Sequence, residues 1–478
     1  MVKQAKKDLK ENKKVREKIK KEKKEKRDYT SLKKKAKIIV ILCLAIILIE
    51  VIIMFILHLI RESKITYIDT LYNIENVDDE YYLAVGSSNF KYSKYNNSFI
   101  YEYQDGIKVD EVRSVYAEQA KLVKYDKELN VVFEKTFETD YDSIFYDVAS
   151  VSDGIIAVGS YVFEEKQLGL NTRDGLLAKY DLDGNLLWSK NYQVLGDTEF
   201  KRVLVVSDGI IVVGQSIYEN MEIGNHANGG GIIVKYDFDG NIIWTNNFGG
   251  NKSGIFEDII SVSDGYIVCG KDAVNYGMLV KFDSEGNRLW VKNYANTDDI
   301  GMSDIETKDD KIYIASSYNK SLEKDKEGNT IFEYDACIFV YDLNGELLDI
   351  YSIGGSNKDR FTSLILLDEK IVAVGYTNSN DIKIDKLIYE KDMSEGMLVE
   401  FDYEGNVLNK KVYGGSKNES LNNIILAIPD TADIINNTKP YIVVGYTNSR
   451  RNLFKGNNKD YFARVLKYNQ ELELLTEK

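Results

Sequence analysis

This sequence predicts an all-β fold of seven four-stranded units behind one membrane-spanning helix, and three observations predict it. The first is a hairpin pattern, typified by GIIVKYDFDGNIIW at residues 231–244, that recurs seven times. Two apolar runs flank Asp237-Phe238-Asp239-Gly240-Asn241, the composition of a tight antiparallel turn. The second is that each copy follows another apolar hairpin, such as ASVSDGIIAVGS from Ala149, VVSDGIIVVGQS from Val205 and SVSDGYIVCGKD from Ser261. Each unit therefore holds four strands, a to d in chain order. Measured at the Asp or Asn of the second hairpin (126, 181, 237, 283, 342, 402 and 469), the spacing runs 55, 56, 46, 59, 60 and 67 residues. Four strands at that spacing are what one blade of a β-propeller requires, and seven copies predict seven blades over residues 71–478. The third observation is the 23-residue apolar run Ile38–Ile60.

The N-terminal elements come next in chain order. Residues 1–37 are rich in Lys and Glu with too few large apolar side chains to bury a core, so they read as a basic cytoplasmic tail. Residues 1–60 carry 18 Lys/Arg and 7 Asp/Glu, +11, which leaves −25 on the remainder of a chain whose total is −14. Ile38–Ile60 is long enough as a helix to cross roughly 30 Å of hydrocarbon. Its basic flank predicts a cytoplasmic N-terminus, a signal anchor that is not cleaved, and an extracytoplasmic propeller after a linker at 61–70. Glu50 lies near the middle of that helix, where an ionised carboxylate is costly. It is expected either to be tolerated in neutral form or to pair with another helix, that of a partner or of a second copy in a homo-oligomer. Abundant Lys, Ile, Asn and Tyr with only two prolines, Pro429 and Pro440, suggest an AT-rich bacterial genome.

Composition also limits the chemistry. Beyond the apolar run there is one histidine, His226, in a Gly/Asn-rich loop, so neither a His-rich metal site nor more than one His-based triad is available. Asp181-x-Asp183-Gly184-Asn185 and its counterpart at Asp237 lack the further acids of a calcium loop and read as hairpin turns, so no metal and no cofactor is expected. Cys43, Cys269 and Cys337 sit in apolar runs and read as structural thiols. Lys124, Lys179, Lys235 and Lys281 recur in strand c and read as blade surface. A −25 body disfavours nucleic acid. Carboxylates are too numerous to exclude a glycosidase, and no pair among them stands out.

Two blades carry a fuller motif. Gly354-Gly355-Ser356 with Asp359, then Gly375-Tyr376-Thr377-Asn378-Ser379, then Gly396-Met397-Leu398-Val399 is one copy. Gly414-Gly415-Ser416 with Glu419 and Gly445-Tyr446-Thr447-Asn448-Ser449 is another. These residues resemble the bacterial seven-bladed β-propeller repeat family. The hairpin bearing Trp188, Trp244 and Trp290 is also similar, more distantly, to the tryptophan docking unit of quinoprotein propellers. That resemblance implies an aromatic on strand d wedged against the next blade. Phe133 fills the place in the first unit, whereas Asp349, Asn409 and Thr476 replace it in the last three. The adjacent cysteines and cofactor ligands of quinoproteins are not found.

Strand order puts the a–b and c–d turns on one face and the b–c and d–a connections on the other. The first face has tight turns. The second has long, varied connections, including 87–118, 317–334 and 377–395, where binding residues collect on a rigid scaffold. Tyr376, Asn378, Tyr446 and Asn448 begin two of these connections and are the candidate contacts, or else ordinary strand ends. The expected function is that of a membrane-anchored, cell-surface module that binds or scaffolds an envelope protein or a surface glycan without catalysis. A carbohydrate-active enzyme using propeller carboxylates is the alternative.

Overall fold

The computed structural model describes Lys20 and Lys21, both helical, and then Asp69–Lys478 except 91–99, 105–106, 112–116, 140, 166–169, 194–195, 217–229, 249–253, 273–275, 295–300, 322–332, 380, 382–392, 415–417, 431–432, 434–437 and 448–461. The chain divides into Met1–Thr66 and Tyr67–Lys478. The expected spanning segment Ile38–Ile60, with Glu50, lies outside the described residues. Among the described residues no helix is long and apolar enough to cross a membrane.

The second unit is a seven-bladed β-propeller: seven antiparallel four-stranded sheets, each with its strands adjacent in chain order. The a strands are Asp69–Val77, Ser143–Val151, Thr198–Val206, Ile255–Val262, Asp304–Lys308, Asp359–Leu366 and Glu419–Leu426. Successive a strands touch one another round a closed circle, from the first to the seventh and back to the first. They therefore line the axis, and the d strands form the rim. A separate hairpin, Ile100–Gln104 with Ile107–Glu111, stands in the first b–c connection.

The core follows from blade composition. Strand c reads as continuous burial, as in Gly230–Tyr236 and Glu395–Phe401, because both faces of a blade are covered by its neighbours. The buried apolar residues fall into seven clusters, each straddling two adjacent blades. One joins blade seven to blade one through Leu71, Ile74, Tyr82, Ala427, Ile442 and Val465. No described strand is exchanged there. Asn76 Nδ2 donates to the Leu426 carbonyl at 2.8 Å, Asn422 Nδ2 to the Leu71 carbonyl at 2.7 Å, and the Ile428 N–H to the Tyr82 hydroxyl at 2.7 Å. Closure thus rests on packing and side-chain hydrogen bonds.

The strand-d aromatics meet the glycine in the c–d turn of the next blade. A Cβ placed on Gly184, Gly240, Gly286 or Gly345 would meet Phe133, Trp188, Trp244 or Trp290 of the preceding blade within 3.0 Å. In blade five Tyr351, two residues after Asp349, takes this role against Gly405. The strand-c lysines correct the sequence reading. Lys179, Lys235 and Lys281 are buried, not surface, and each ammonium lies 2.8 Å from the a–b turn carboxylate of its own blade, Asp153, Asp208 or Asp264. A long apolar stem lets the charge reach the tight-turn face while the chain packs between blades.

Candidate functional site

In six of the seven a strands the register slips by one residue after a large apolar side chain, as at Phe145/Asp147, Phe200/Arg202 and Phe256/Asp258. This one-residue bulge re-aims the side chains that follow it. Asn73, Asp147, Arg202, Asp258, Asp304, Ser363 and Asn423 occupy the position after the slip, or its equivalent in blade five, and so meet at one level of the axis.

Arg202 closes that level. Its Nη2 donates to Asp304 Oδ1 at 2.8 Å, its Nε stands 2.8 Å from Asp258 Oδ1 without alignment for a hydrogen bond, and its Nη1 is 3.9 Å from Asp147 Oδ1. The three aspartates also stitch blades together. Asp147 Oδ2 accepts from the Val203 N–H at 2.7 Å, Asp258 Oδ2 from Ile305 at 3.0 Å, and Asp304 Oδ2 from Leu364 at 2.8 Å. Asn73 Nδ2 donates to Asp147 Oδ1, and Asn423 Nδ2 to Ser363 Oγ at 3.4 Å. One guanidinium for three carboxylates leaves an excess of buried acid. Burial raises Asp147 to about 6 against the pull of Arg202, and it raises Asp258 well above its ordinary value, with Asp304 adding to the shift. On the tight-turn side of this waist, burial and then Asp147 raise Glu75 to about 8.

These shifts predict a pH dependence. Raised carboxyl values mean that the folded chain binds more protons than the unfolded chain between the ordinary carboxylate range and about 8. Stability should therefore fall as pH rises from 5.5 to 8.5, a window above the exposed turn aspartates, whose values are lowered. Denaturant midpoints at the two pH values should show it, with a smaller difference in Glu75→Gln. A midpoint that rises with pH would contradict the assignment.

On the long-connection side of the waist a second cluster spans blades one to three. The bulge residues Tyr72 and Tyr146 pack with ring centroids 5.3 Å apart at 56°. Lys201, the bulge residue of blade three, places Nζ 3.8 Å from the centre of the Tyr146 ring and 2.7 Å from Glu199 Oε2. Arg173 Nη1 donates to Glu199 Oε1 at 2.9 Å, and Gln215 Nε2 to Glu199 Oε2 at 3.1 Å. Ser87 Oγ donates to Glu118 Oε1 at 2.5 Å. Glu118 and Arg173 open their c strands at equivalent places, held by backbone N–H bonds to Asp142 and Asp197 at 2.8 Å each.

The electrostatics of this cluster are uneven. Burial raises the Glu118 carboxyl. Burial acts the same way on Glu199, but Lys201 and Arg173 outweigh it and hold that carboxyl below its usual range. Burial keeps the Tyr72 and Tyr146 phenols protonated, Glu118 adding to the effect at Tyr72. The mouth thus presents protonated phenols and the Glu118 carboxyl beside two cations that share the Glu199 carboxylate.

The candidate contacts divide. Tyr446 pairs with Ser420 in blade seven and stands near enough to Tyr72 to act on it electrostatically, so it joins the mouth. Tyr376 pairs with Arg360, whose Nη2 reaches Ser303 Oγ at 2.6 Å and the Gly301 carbonyl at 3.0 Å across blades five and six. Asn378 fastens its own loop: its N–H donates to the Lys358 carbonyl at 2.9 Å, and its carbonyl accepts from Asn357 Nδ2 at 3.4 Å. Asn448 lies outside the described residues. The acids of the repeat motif are architectural. Asp359, 1 % exposed, accepts from the Gly355 N–H, Thr377 Oγ1 and Ser379 Oγ, and Glu419 accepts from Thr447 Oγ1. Cys269 and Cys337 are buried free thiols. No group of three or more His, Cys, Asp or Glu among the described residues could hold a metal ion.

Sequence reasoning missed both clusters. The available signal was positional: the first and second residues after the large apolar side chain of strand a, seen only when the seven repeats are aligned.

No family model matches the chain, and no curated protein matches it. Solved structures of similar architecture include the hydrazine synthase of Kuenenia stuttgartiensis, with TM-score 0.44 and 8% identity over 74% of this chain and 93% of that one. A candidate 6-phosphogluconolactonase of Bacteroides fragilis gives 0.43 and 9% over 85% and 95%. Drosophila Plexin A, solved in complex with Semaphorin 1b, gives 0.40 and 6% over 70% and 77%. With TM-scores below 0.5 and identities of 6–9%, none of these likenesses carries an argument about this chain.

Proposed function

We propose that this chain is a membrane-anchored, cell-surface propeller that binds or scaffolds an envelope protein or glycan without catalysis, using the long-connection mouth over blades one to three. The observation that carries this reading is the cluster itself: Tyr72, Tyr146, Arg173, Glu199, Lys201 and Glu118 converge on the face with the long connections. Anchoring rests on the apolar run Ile38–Ile60 and its basic flank. The glycosidase alternative needs a carboxylate with a lone pair free for water or for the sugar. Glu199, the carboxylate held ionised here, takes Arg173 on Oε1 and both Lys201 and Gln215 on Oε2, so it is largely committed to its neighbours.

The test is a photocrosslinking amino acid placed at Tyr146 or Tyr446 on one face, and at Asp183 or Asp239 on the other, in intact cells. Discrete adducts with an envelope component are expected from the first pair. Adducts confined to the second pair would move the working face to the tight turns.

A further inference from the structure

The seven blades share one scaffold, so a side chain that departs from the repeat at the axial mouth is not demanded by the fold. Where blade three places Glu199, the other blades place Thr70, Ile144, Ile255, Arg360 and Ser420, none of them an acid. Where it places Lys201, they place residues such as Tyr72, Ser303 and Thr362. The combination of Arg173, Glu199 and Lys201 is specific to this third of the ring.

Its donors are only partly used. Arg173 engages Glu199 through Nη1, and no described residue accepts from its Nη2 or Nε, while 35% of the side chain is accessible. Lys201 gives one contact to Glu199 and rests on the Tyr146 ring, with 19% accessible. Glu199 is shared by both cations, and Asp142, Glu118 and Glu257 also act on them, so what an incoming anion meets is the open guanidinium edge of Arg173 and not a net positive field. Beyond the first sixty residues the body carries −25, so a polyanion would be repelled while a single compact anion would not. A planar guanidinium edge matches a carboxylate in two parallel hydrogen bonds. Beside it, Tyr72 and Tyr146 supply aromatic surface, and their phenols with the Gln215 amide supply hydrogen-bonding partners. Aromatic surface, neutral hydrogen-bonding groups and one anion-sized cationic edge are the complement of a sugar ring that carries a carboxylate.

We propose that the mouth over blades one to three binds an acidic saccharide residue, its carboxylate on the open edge of Arg173 and its ring against Tyr72 and Tyr146. This rests on the same site as the binding function above and names its ligand class. The purified full chain should be titrated calorimetrically with a hexuronate-containing tetrasaccharide, its carboxyl-reduced neutral counterpart, and a peptide ending in a free carboxylate. The acidic sugar should bind, and the reduced sugar should bind about tenfold more weakly or worse, as expected for loss of a charge-assisted pair. Arg173→Gln should weaken the acidic sugar by a similar factor and leave the neutral one unchanged, with Arg173→Lys partly restoring it. Should Arg173→Gln fail to fold, the two sugars on the unmodified chain carry the same comparison. Equal binding of both sugars, no binding of the acidic sugar, or binding of the peptide in its place would overturn the inference. A protein adduct at Tyr446 without saccharide binding would overturn the saccharide alone and leave the binding face standing. Adducts confined to the tight-turn face would overturn both.

Discussion

Arg202→Met should lower the stability of the propeller by about 3–5 kcal/mol at pH 8, the range seen when one partner of a buried charged network is removed. Methionine keeps much of the volume, so the loss isolates charge. Without the guanidinium, Asp147, Asp258 and Asp304 stay buried, with 8% or less of each side chain accessible and no counter-charge at the axis. Because those carboxyls also hold the Val203, Ile305 and Leu364 N–H groups, the damage should spread over blades two to six. The penalty should shrink at pH 5.5, where the raised carboxyls can take up protons. A variant that also carries Asp258→Asn and Asp304→Asn should recover part of the loss. Denaturant midpoints at both pH values check this. An unchanged midpoint at pH 8 would mean that Arg202 is solvated and the waist is not closed.

The rim was far more legible in the sequence than the axis, and the physics of the two explains it. Hairpin turns and outer aromatics declare themselves locally. Asp237-Phe238-Asp239-Gly240-Asn241 makes a turn from its own side chains, with Asp237 Oδ1 accepting from the Asp239 and Asn241 N–H groups at 3.0 and 2.8 Å. The axial residues become neighbours only after closure of a ring whose members lie some fifty residues apart. They share a register but not an identity, running from Asn73 through Arg202 to Ser363, so neither motif nor composition marks them. The strand-c lysines failed for a related reason. A lysine usually signals solvent, but a blade covered on both faces leaves strand c no solvent side except its end. The Gly-Gly-Ser and Gly-Tyr-Thr-x-Ser motif was legible as a pattern, and its Asp359 and Thr377 turn out to fasten the strand entry, whereas Tyr446 reaches the mouth.

Trp244→Ala should cost about 3 kcal/mol, the lower part of the range for aromatic truncation, since Trp244 is only partly buried. The reason it should cost this much lies in the residue it meets. All seven c–d turns place a residue at positive φ: Leu129 at 62°, Gly184 at 79°, Gly240 at 77°, Gly286 at 82°, Gly345 at 77°, Gly405 at 86° and Leu472 at 59°. Glycine stands where the preceding blade supplies Phe133, Trp188, Trp244, Trp290 or Tyr351, and a Cβ there would strike the ring. Leucine stands where the preceding blade supplies Asn409 or Thr476 in place of an aromatic. A leucine in this conformation costs about 1–2 kcal/mol. Burying Leu129 and Leu472 to 2% and 1% exposure offsets that with about 1.5–3 kcal/mol each. Aromatic with glycine, or small polar residue with leucine, are thus two fillings of one slot. It follows that Asn409→Trp alone should destabilise the contact between blades six and seven, because Leu472 already occupies the space, and that adding Leu472→Gly should restore stability. Thermal unfolding of Trp244→Ala, Asn409→Trp and the double variant decides the matter. If Asn409→Trp is tolerated without Leu472→Gly, the slot is open to solvent and Trp244 covers surface instead of locking blades.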